Sequence, residues 1–266
     1  MKKNILFLLL LFIVINAIAQ ESWLQPDKFI YKRIEAINVK FLTGTNFNGE
    51  NWTGDKNTLK DLQLYFDDAV DRDLENNLGP DKGDSLQLAM IDEGTAMITV
   101  NTKDSLVNVE ATKFNEYLEG NGLTEALTLR EKNGDTTKDG NEYYQVCSKT
   151  IFQVDEHVSV VSGKKTNLLL DIIPEDHPYS VDKDETFRVQ VFFEGRELRN
   201  AKVKVYHKVD NRVTEEEYTT NEAGEIKFFL SPTGEWMVSC VKMIKIENDP
   251  KAGWHSYHGS LTWGYY

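Results

Sequence analysis

A regular alternation of apolar and polar side chains between residues 166 and 266 constrains the fold of this chain more than any other feature. In AKVKVYHKV, residues 201–209, every second residue is Ala, Val or His, and the residues between them are Lys or Tyr. FRVQVFF, residues 187–193, repeats the pattern with Phe and Val on one face. A two-residue period is typical of a strand with one buried and one wet face. With the neighbouring segments this gives about seven strands, and predicts an immunoglobulin- or transthyretin-like β-sandwich over residues 163–266.

The first half of the chain also favours strands, at AINVKFLTG, AMITVNT and YYQVCSKTIFQV. One segment differs: in ATKFNEYLEGNGL, Phe114, Tyr117 and Leu118 have the i, i+3, i+4 spacing of a short helix. TEALTLREKNG favours a second short helix. A polar stretch, SVVSGKKT, indicates a boundary near residue 162. We therefore predict an all-β protein of two β-sandwich domains, residues 20–162 with a short helical insert and residues 163–266.

The first nineteen residues are typical of a secretory signal peptide. A basic MKKN start precedes the apolar run Ile5 to Ile15, and Ala17-Ile18-Ala19 matches the small-x-small cleavage pattern. The run is shorter than the roughly 20 residues that span a bilayer. We expect a mature chain that begins at Gln20, does not span a membrane and is periplasmic or secreted.

Charge and motifs exclude several function classes. The formal net charge of -13 repels phosphate backbones, so nucleic acid is not an expected partner. The chain lacks G-x-S-x-G, H-E-x-x-H and a glycine-rich phosphate loop, so we expect a non-enzymatic protein. We also expect a monomer. Cys147 and Cys240 would suit a disulfide in an exported protein, but they lie in strands of different predicted domains. Whether they are bridged stays open.

The segment AGWHSYHGSLTWGYY contains two candidate metal ligands, His255 and His258. Imidazole suits Ni, Co, Cu or Zn as a ligand. The sequence indicates no definite cofactor, and a divalent transition metal is the one candidate. Residues three apart on a strand point to opposite faces, so both could hold one ion only if the strand began after His255. In an extended strand His258 would lie on the solvent side with three hydroxyl residues, Ser256, Ser260 and Thr262. The alternative is a stacked or exposed pair that binds no metal.

A second ligand for His258 would come from the loop PEDHPY. His177 lies there beside Glu175 and Asp176, which could present an imidazole and a carboxylate together. An ordinary polar turn is the alternative interpretation. The two imidazoles could share an ion only if their nitrogens came within about 8 Å, since Zn–N bonds are about 2 Å long.

Aromatic residues support a different hypothesis. A β-sandwich that exposes clustered aromatics would suit a module that binds glycan or protein at the cell envelope without metal. Core packing is the other explanation for these side chains. The candidates are Trp52, Trp254, Trp263, Tyr265 and Tyr266.

Several landmarks together resemble a known family. In chain order they are ESWLQPDKF, KFLTGTNFNGENW, ATKFNEYLEGNGL, NEYYQVCSKTIFQV, LLLDIIPEDHPY, TTNEAGEIKFFL, GEWMVS and GWHSYHGSLTW. They resemble a bacterial exported family of unknown function that is often described as a periplasmic component of nickel or cobalt uptake. The resemblance implies a β-sandwich accessory protein that handles a transition metal before import. Its expected partner is an envelope metal-uptake transporter or an outer-membrane receptor.

The chain departs from that family at two positions. Members commonly begin with a histidine three residues before the tryptophan, which would offer both an amine and an imidazole to a metal. Here Gln20 occupies that position before Trp23. Lys242 stands where the strand after GEWMVS often carries another histidine.

Overall fold

The alternating segments form strands throughout the computed structural model, which describes residues 20–52, 56–67, 69–71, 74–79, 84–182 and 185–266. The predicted signal peptide lies outside these residues. The strands are β1 (Glu21–Pro26), β2 (Ile30–Tyr31), β3 (Ala36–Thr45), β4 (Asn48–Asn51), β5 (Leu59–Phe66), β6 (Ala69–Asp71), β7 (Ser85–Ala89), β8 (Gly94–Thr102), β9 (Ser105–Val109), β10 (Gly140–Val154), β11 (Leu170–Pro174), β12 (Glu185–Phe193), β13 (Arg196–Glu197), β14 (Lys202–Val209), β15 (Arg212–Thr219), β16 (Glu225–Leu230), β17 (Glu235–Lys245) and β18 (Trp254–Gly264). The helices are α1 (Ala111–Gly120) and α2 (Thr124–Asn133). The prediction of an all-β fold with a short helical insert is confirmed.

One large sheet contains strands from both halves of the chain. Its order is β15-β14-β17-β18-β10-β8-β5-β6, and β2 and β9 also pair with β10. At its centre β10 and β18 run parallel, from the Glu142–Trp254 pair to the Thr150–Thr262 pair. The sheet therefore continues across the predicted boundary at residue 162. The division into two domains stays a prediction, but the two halves are joined by more than a linker.

Two smaller sheets cover the opposite faces of the central strands. One contains β11, β12, β13 and β16, and the other contains β1, β3, β4 and β7. On the first side, Gly259 lets β11 approach β18 closely, because a Cβ there would lie 2.9 Å from Leu170 Cγ. On the second side, β1 lies across β10 and β18, where it accepts hydrogen bonds from their side chains. As a result β18 has protein on both faces.

The two cysteines lie on either side of Gly259. Cys147 and Cys240 are each paired with it, on β10 and β17 respectively. Two strand spacings separate their Cα atoms by about 10 Å, which exceeds the reach of a disulfide. Both thiols are free and buried.

The helices pack on the large sheet through one apolar cluster. The predicted helical face, Phe114, Tyr117 and Leu118, is buried against Met243 and Trp254. Glu110 caps the start of α1 through its carboxylate, which accepts from two backbone N–H groups. Within the described residues, no helix is long and apolar enough to cross a membrane.

Candidate functional site

The polar face of β18 is covered by the N-terminal strand β1. Ser256, His258, Ser260 and Thr262 are all 5% exposed or less, so the prediction that His258 lies on the solvent side is wrong. The physical reason is that these polar side chains bond to protein instead of water. Thr262 Oγ1 donates to the Leu24 carbonyl oxygen at 2.7 Å. Ser260 donates to Ser148, whose hydroxyl donates to a carbonyl oxygen of β1.

His258 lies between two tyrosine rings. Its Nε2 is 3.0 Å from the Tyr117 hydroxyl, and the Tyr144 ring centroid is 4.2 Å from the imidazole centroid. Burial lowers the pKa of His258 to about 3, because a charged imidazolium would lose its hydration there. The imidazole is therefore uncharged at neutral pH and keeps a nitrogen lone pair.

The first described residue shares a small pocket with this imidazole. Gln20, Glu21, Asn121, Val241 and His258 are among the residues that line it, with a volume of about 10 Å³. Such a volume suits one water molecule or one ion. Glu21 Oε1 accepts a hydrogen bond from Tyr206 at 2.6 Å, while its buried Oε2 has no hydrogen-bond partner among the described residues.

Glu142 extends the same polar face towards α1. It is 3% exposed, and its Oε2 has no hydrogen-bond partner in the described part of the chain. Burial raises the pKa of Glu142 to about 7, although a hydrogen bond with Ser256 opposes the shift. The carboxylate charge adds to the effect of burial in raising the pKa of the Tyr117 phenol. We call Tyr117, Glu142, Tyr144, Ser256 and His258 the buried polar cluster.

His255 faces the other side of β18. Its Nδ1 lies 3.1 Å from the Tyr257 hydroxyl, within hydrogen-bonding distance, and its Nε2 lies 3.2 Å from Asp104 Oδ1. The second contact has the distance of an ion pair but not the alignment of a hydrogen bond, since Nε2 has no hydrogen-bond partner. Because the strand is already extended at His255, this residue and His258 do not meet at one ion.

His177 is also separate from His258, and the predicted shared site does not form. Its Nε2 lies 3.0 Å from the Ser159 carbonyl oxygen and 3.1 Å from Thr95 Oγ1, while Nδ1 accepts from the Tyr179 N–H. Thr95 is paired with residue 153 of β10, whereas His258 is paired with residue 146. At about 3.3 Å per residue these positions lie about 23 Å apart.

The remaining ligands of the PEDHPY loop are engaged elsewhere. Arg188 holds both Glu175 and Asp176, at 3.2 Å and 2.7 Å. No group of three or more His, Cys, Asp or Glu side chains is arranged to hold a metal within the ranges that the structure describes. Through its contact with Thr95, the imidazole of His177 connects its loop to β8.

The aromatic candidates do not form one exposed surface. Trp254 and Trp263 are buried in the core, Trp52 and Tyr265 are half-buried, and Tyr266 is exposed. Tyr266 lies at the edge of a groove of about 590 Å³. Further groove residues are Trp23, Gln25, Lys40, Asn48, Asn51 and Lys208.

Comparisons with known proteins add a family but no activity. The family model "Domain of unknown function (DUF4198)" matches residues 17–243. No curated protein matches the sequence. Among solved structures, the D0-D1 domain of Intimin is 12% identical with a TM-score of 0.20, and the match covers 91% of this chain and 97% of that one.

Two further solved structures give similar values. Three N-terminal domains of the bacteriophage RB49 Hoc protein are 12% identical, with a TM-score of 0.21 and coverage of 91% and 59%. A DUF3823 family protein from Bacteroides uniformis is 9% identical, with a TM-score of 0.22 and coverage of 92% and 99%. These TM-scores are too low to support an inference about function.

Proposed function

The chain belongs to the DUF4198 family, and we propose that it is an exported, non-catalytic binding protein that takes up a divalent transition metal ion beside His258. The supporting observation is that Gln20 and His258 line the same pocket. With the predicted cleavage after residue 19, Gln20 would carry a free α-amine. An amine and a neutral imidazole both suit nickel, copper or zinc.

The protonation state of His258 leaves its imidazole available as a ligand at neutral pH. At neutral pH a proton does not compete with a metal ion for the His258 imidazole, because burial lowers its pKa to about 3. The Tyr117 hydroxyl forms a hydrogen bond with His258 Nε2, so Nδ1 would be the nitrogen that binds the metal. This hydrogen bond also fixes the orientation of the ring, as outer-sphere partners of metal-bound histidines do. The unpartnered carboxylate oxygen of Glu21 is a candidate third donor.

A site with so few protein donors would bind weakly, which suits a protein that passes its ion on. The expected recipient is an envelope metal-uptake transporter or an outer-membrane receptor. Members of the family described in the sequence analysis commonly have a histidine where this chain has Gln20. Replacement of Gln20 by histidine would add an imidazole to the pocket. We expect that change to tighten binding.

Calorimetric titration of the mature chain, residues 20–266, with nickel, cobalt, copper and zinc tests the proposal. An N-terminal glutamine can cyclise and lose its amine, so the intact mass is recorded first. We expect weak binding by the mature chain, tighter binding by Gln20→His, and a loss of binding in His258→Gln. His157→Gln is the matched control, because His157 is exposed and distant from the pocket residues in sequence.

A second arm blocks the amine while it keeps every side chain. One alanine added before Gln20 should weaken binding if the α-amine is a ligand. If neither the mature chain nor Gln20→His binds any of the four ions more tightly than millimolar, the metal proposal is refuted.

The groove beside Tyr266 favours one rival function, recognition of glycan or protein without metal. Its volume is within the range of small-ligand sites, and its amide side chains could bond hydroxyl or peptide groups. A glycan array probed with the mature chain tests this function. Binding that is lost in Tyr266→Ala and Asn51→Ala, with no response to metal, would favour the rival.

A further inference from the structure

A lysine and an aspartate face each other in the core, between the large sheet and β11. Lys149 on β10 is 0% exposed at its side chain, and Asp171 on β11 is 5% exposed. Lys149 Nζ contacts Asp171 Oδ1 and also donates to the Ile172 carbonyl oxygen at 3.1 Å. The core residues Cys147 and Ile151 lie on either side of Lys149 along the same strand face. The two charged groups are therefore enclosed away from water.

Burial of this kind carries a large desolvation cost. The mutual attraction of two buried ions offsets only part of the free-energy cost of removing them from water. Another ion pair of the described residues, Lys204 with Glu21, keeps 15% and 10% of its side chains exposed. A reaction that removes both charges of the Lys149–Asp171 pair would remove the cost.

The two carboxyl oxygens of Asp171 have different partners. Oδ1 faces the amine, whereas Oδ2 accepts from the Thr166 backbone N–H at 2.8 Å and from the Thr166 hydroxyl at 3.0 Å. Two donors fixed on one oxygen would stabilise negative charge that develops there when a nucleophile attacks the carbonyl carbon. The other oxygen is then free to leave.

We propose that Lys149 and Asp171 condense to an intramolecular isopeptide bond. The ammonium gives one proton to Oδ1, and the neutral Nζ attacks Cγ. Oδ2 carries the negative charge of the tetrahedral intermediate while Thr166 donates to it. A second proton passes from nitrogen to Oδ1, the Cγ–Oδ1 bond breaks and one water leaves. Nζ and Oδ2 remain as the amide, so the reaction needs no oxidant, reductant or cofactor.

Two properties of the fold favour this step. The strands hold amine and carboxyl in contact, and well-oriented groups of this kind reach effective concentrations of about 10⁵ M or more. The enclosed position also keeps water from the product, which slows hydrolysis. The bond would join the large sheet to the smaller sheet of β11 and β12, across the predicted boundary at residue 162.

The intact mass of the folded wild-type chain tests the proposal directly. We expect a mass one water below that of the sequence, distinct from the loss of ammonia on N-terminal cyclisation. Proteolysis should then yield a branched peptide that joins the segments with Lys149 and Asp171. A full mass and two separate linear peptides after prolonged incubation of the folded protein would overturn the proposal, whatever the metal titration shows.

A variant tests the role of the oxygen that bears the charge. Thr166→Val removes one of the two donors, and we expect it to slow the loss of water about a hundredfold. Thr214→Val is the control, since this exposed hydroxyl donates to a backbone carbonyl remote from the pair in sequence, and it should link at the wild-type rate. Linking of Thr166→Val at the wild-type rate would refute the assigned role of Thr166.

Discussion

Replacement of Glu142 by glutamine should make the protein more stable at neutral and higher pH. Burial raises the pKa of Glu142 from 4.5 to about 7. Above pH 4.5 the unfolded chain releases this proton while the folded chain retains it, so ionisation favours unfolding. The stability that neutral Glu142 contributes is therefore fully present below pH 4.5 and is lost as the pH rises to 7.

The magnitude follows from the size of the shift. At 1.36 kcal/mol for each pKa unit, the contribution of Glu142 to the free energy of unfolding should fall by about 3 kcal/mol over this window. Glutamine has nearly the same shape and does not ionise. We expect Glu142→Gln and wild type to have similar stabilities below pH 4.5 and the variant to be more stable by about 3 kcal/mol above pH 7.

Urea unfolding followed by tryptophan fluorescence measures this difference at each pH. The comparison must be between proteins, because His258 opposes the trend within wild type. Its folded pKa is lowered to about 3 from 6.5, so its contribution to stability is lost as the pH falls from 6.5. For Glu131→Gln, at an exposed position of α2, the difference in free energy of unfolding from wild type should not change with pH. If the difference between Glu142→Gln and wild type also did not change with pH, the reasoning would be refuted.

Three further predictions concern the core. Burial raises the pKa of Cys147 to about 11 and that of Cys240 to about 12, so neither should react with a thiol reagent until the protein unfolds; reaction of the native protein would contradict this. Gly259→Ala forces a Cβ against Leu170 and should lower the free energy of unfolding by about 1–3 kcal/mol in urea; a neutral result would mean that β11 can withdraw. Tyr117→Phe removes the phenol that bonds the buried imidazole and should cost about 1 kcal/mol in the same assay; an unchanged midpoint would mean that the bond contributes nothing.

Local patterns predicted the fold class because strand and helix periods are properties of short segments. The alternation in residues 187–193 and 201–209 corresponds to β12 and β14. The spacing of Phe114, Tyr117 and Leu118 likewise predicted the buried face of α1. None of these inferences required knowledge of a distant contact.

The environment of the candidate site depends on distant contacts, and for that reason the sequence did not reveal it. Alternation shows that Ser256, His258, Ser260 and Thr262 share a polar face, but it does not tell whether water or another strand covers that face. Here β1 covers it and supplies the hydrogen-bond acceptors. The proximity of Gln20 to His258 has the same origin, since it depends on where β1 docks. A run of hydroxyl residues around one histidine was the only local sign.

The position of β18 at the centre of the large sheet also affects how the chain reaches its native state. β10 pairs in parallel with β18, which follows every other described strand along the chain. Loop closure over such a separation is slow, and parallel strands cannot form from a local hairpin. Until β18 pairs with it, β10 keeps a row of unpaired backbone N–H and C=O groups, which promotes association between chains. We therefore expect this chain to need protection from aggregation until β18 is available. Folding should then be cooperative.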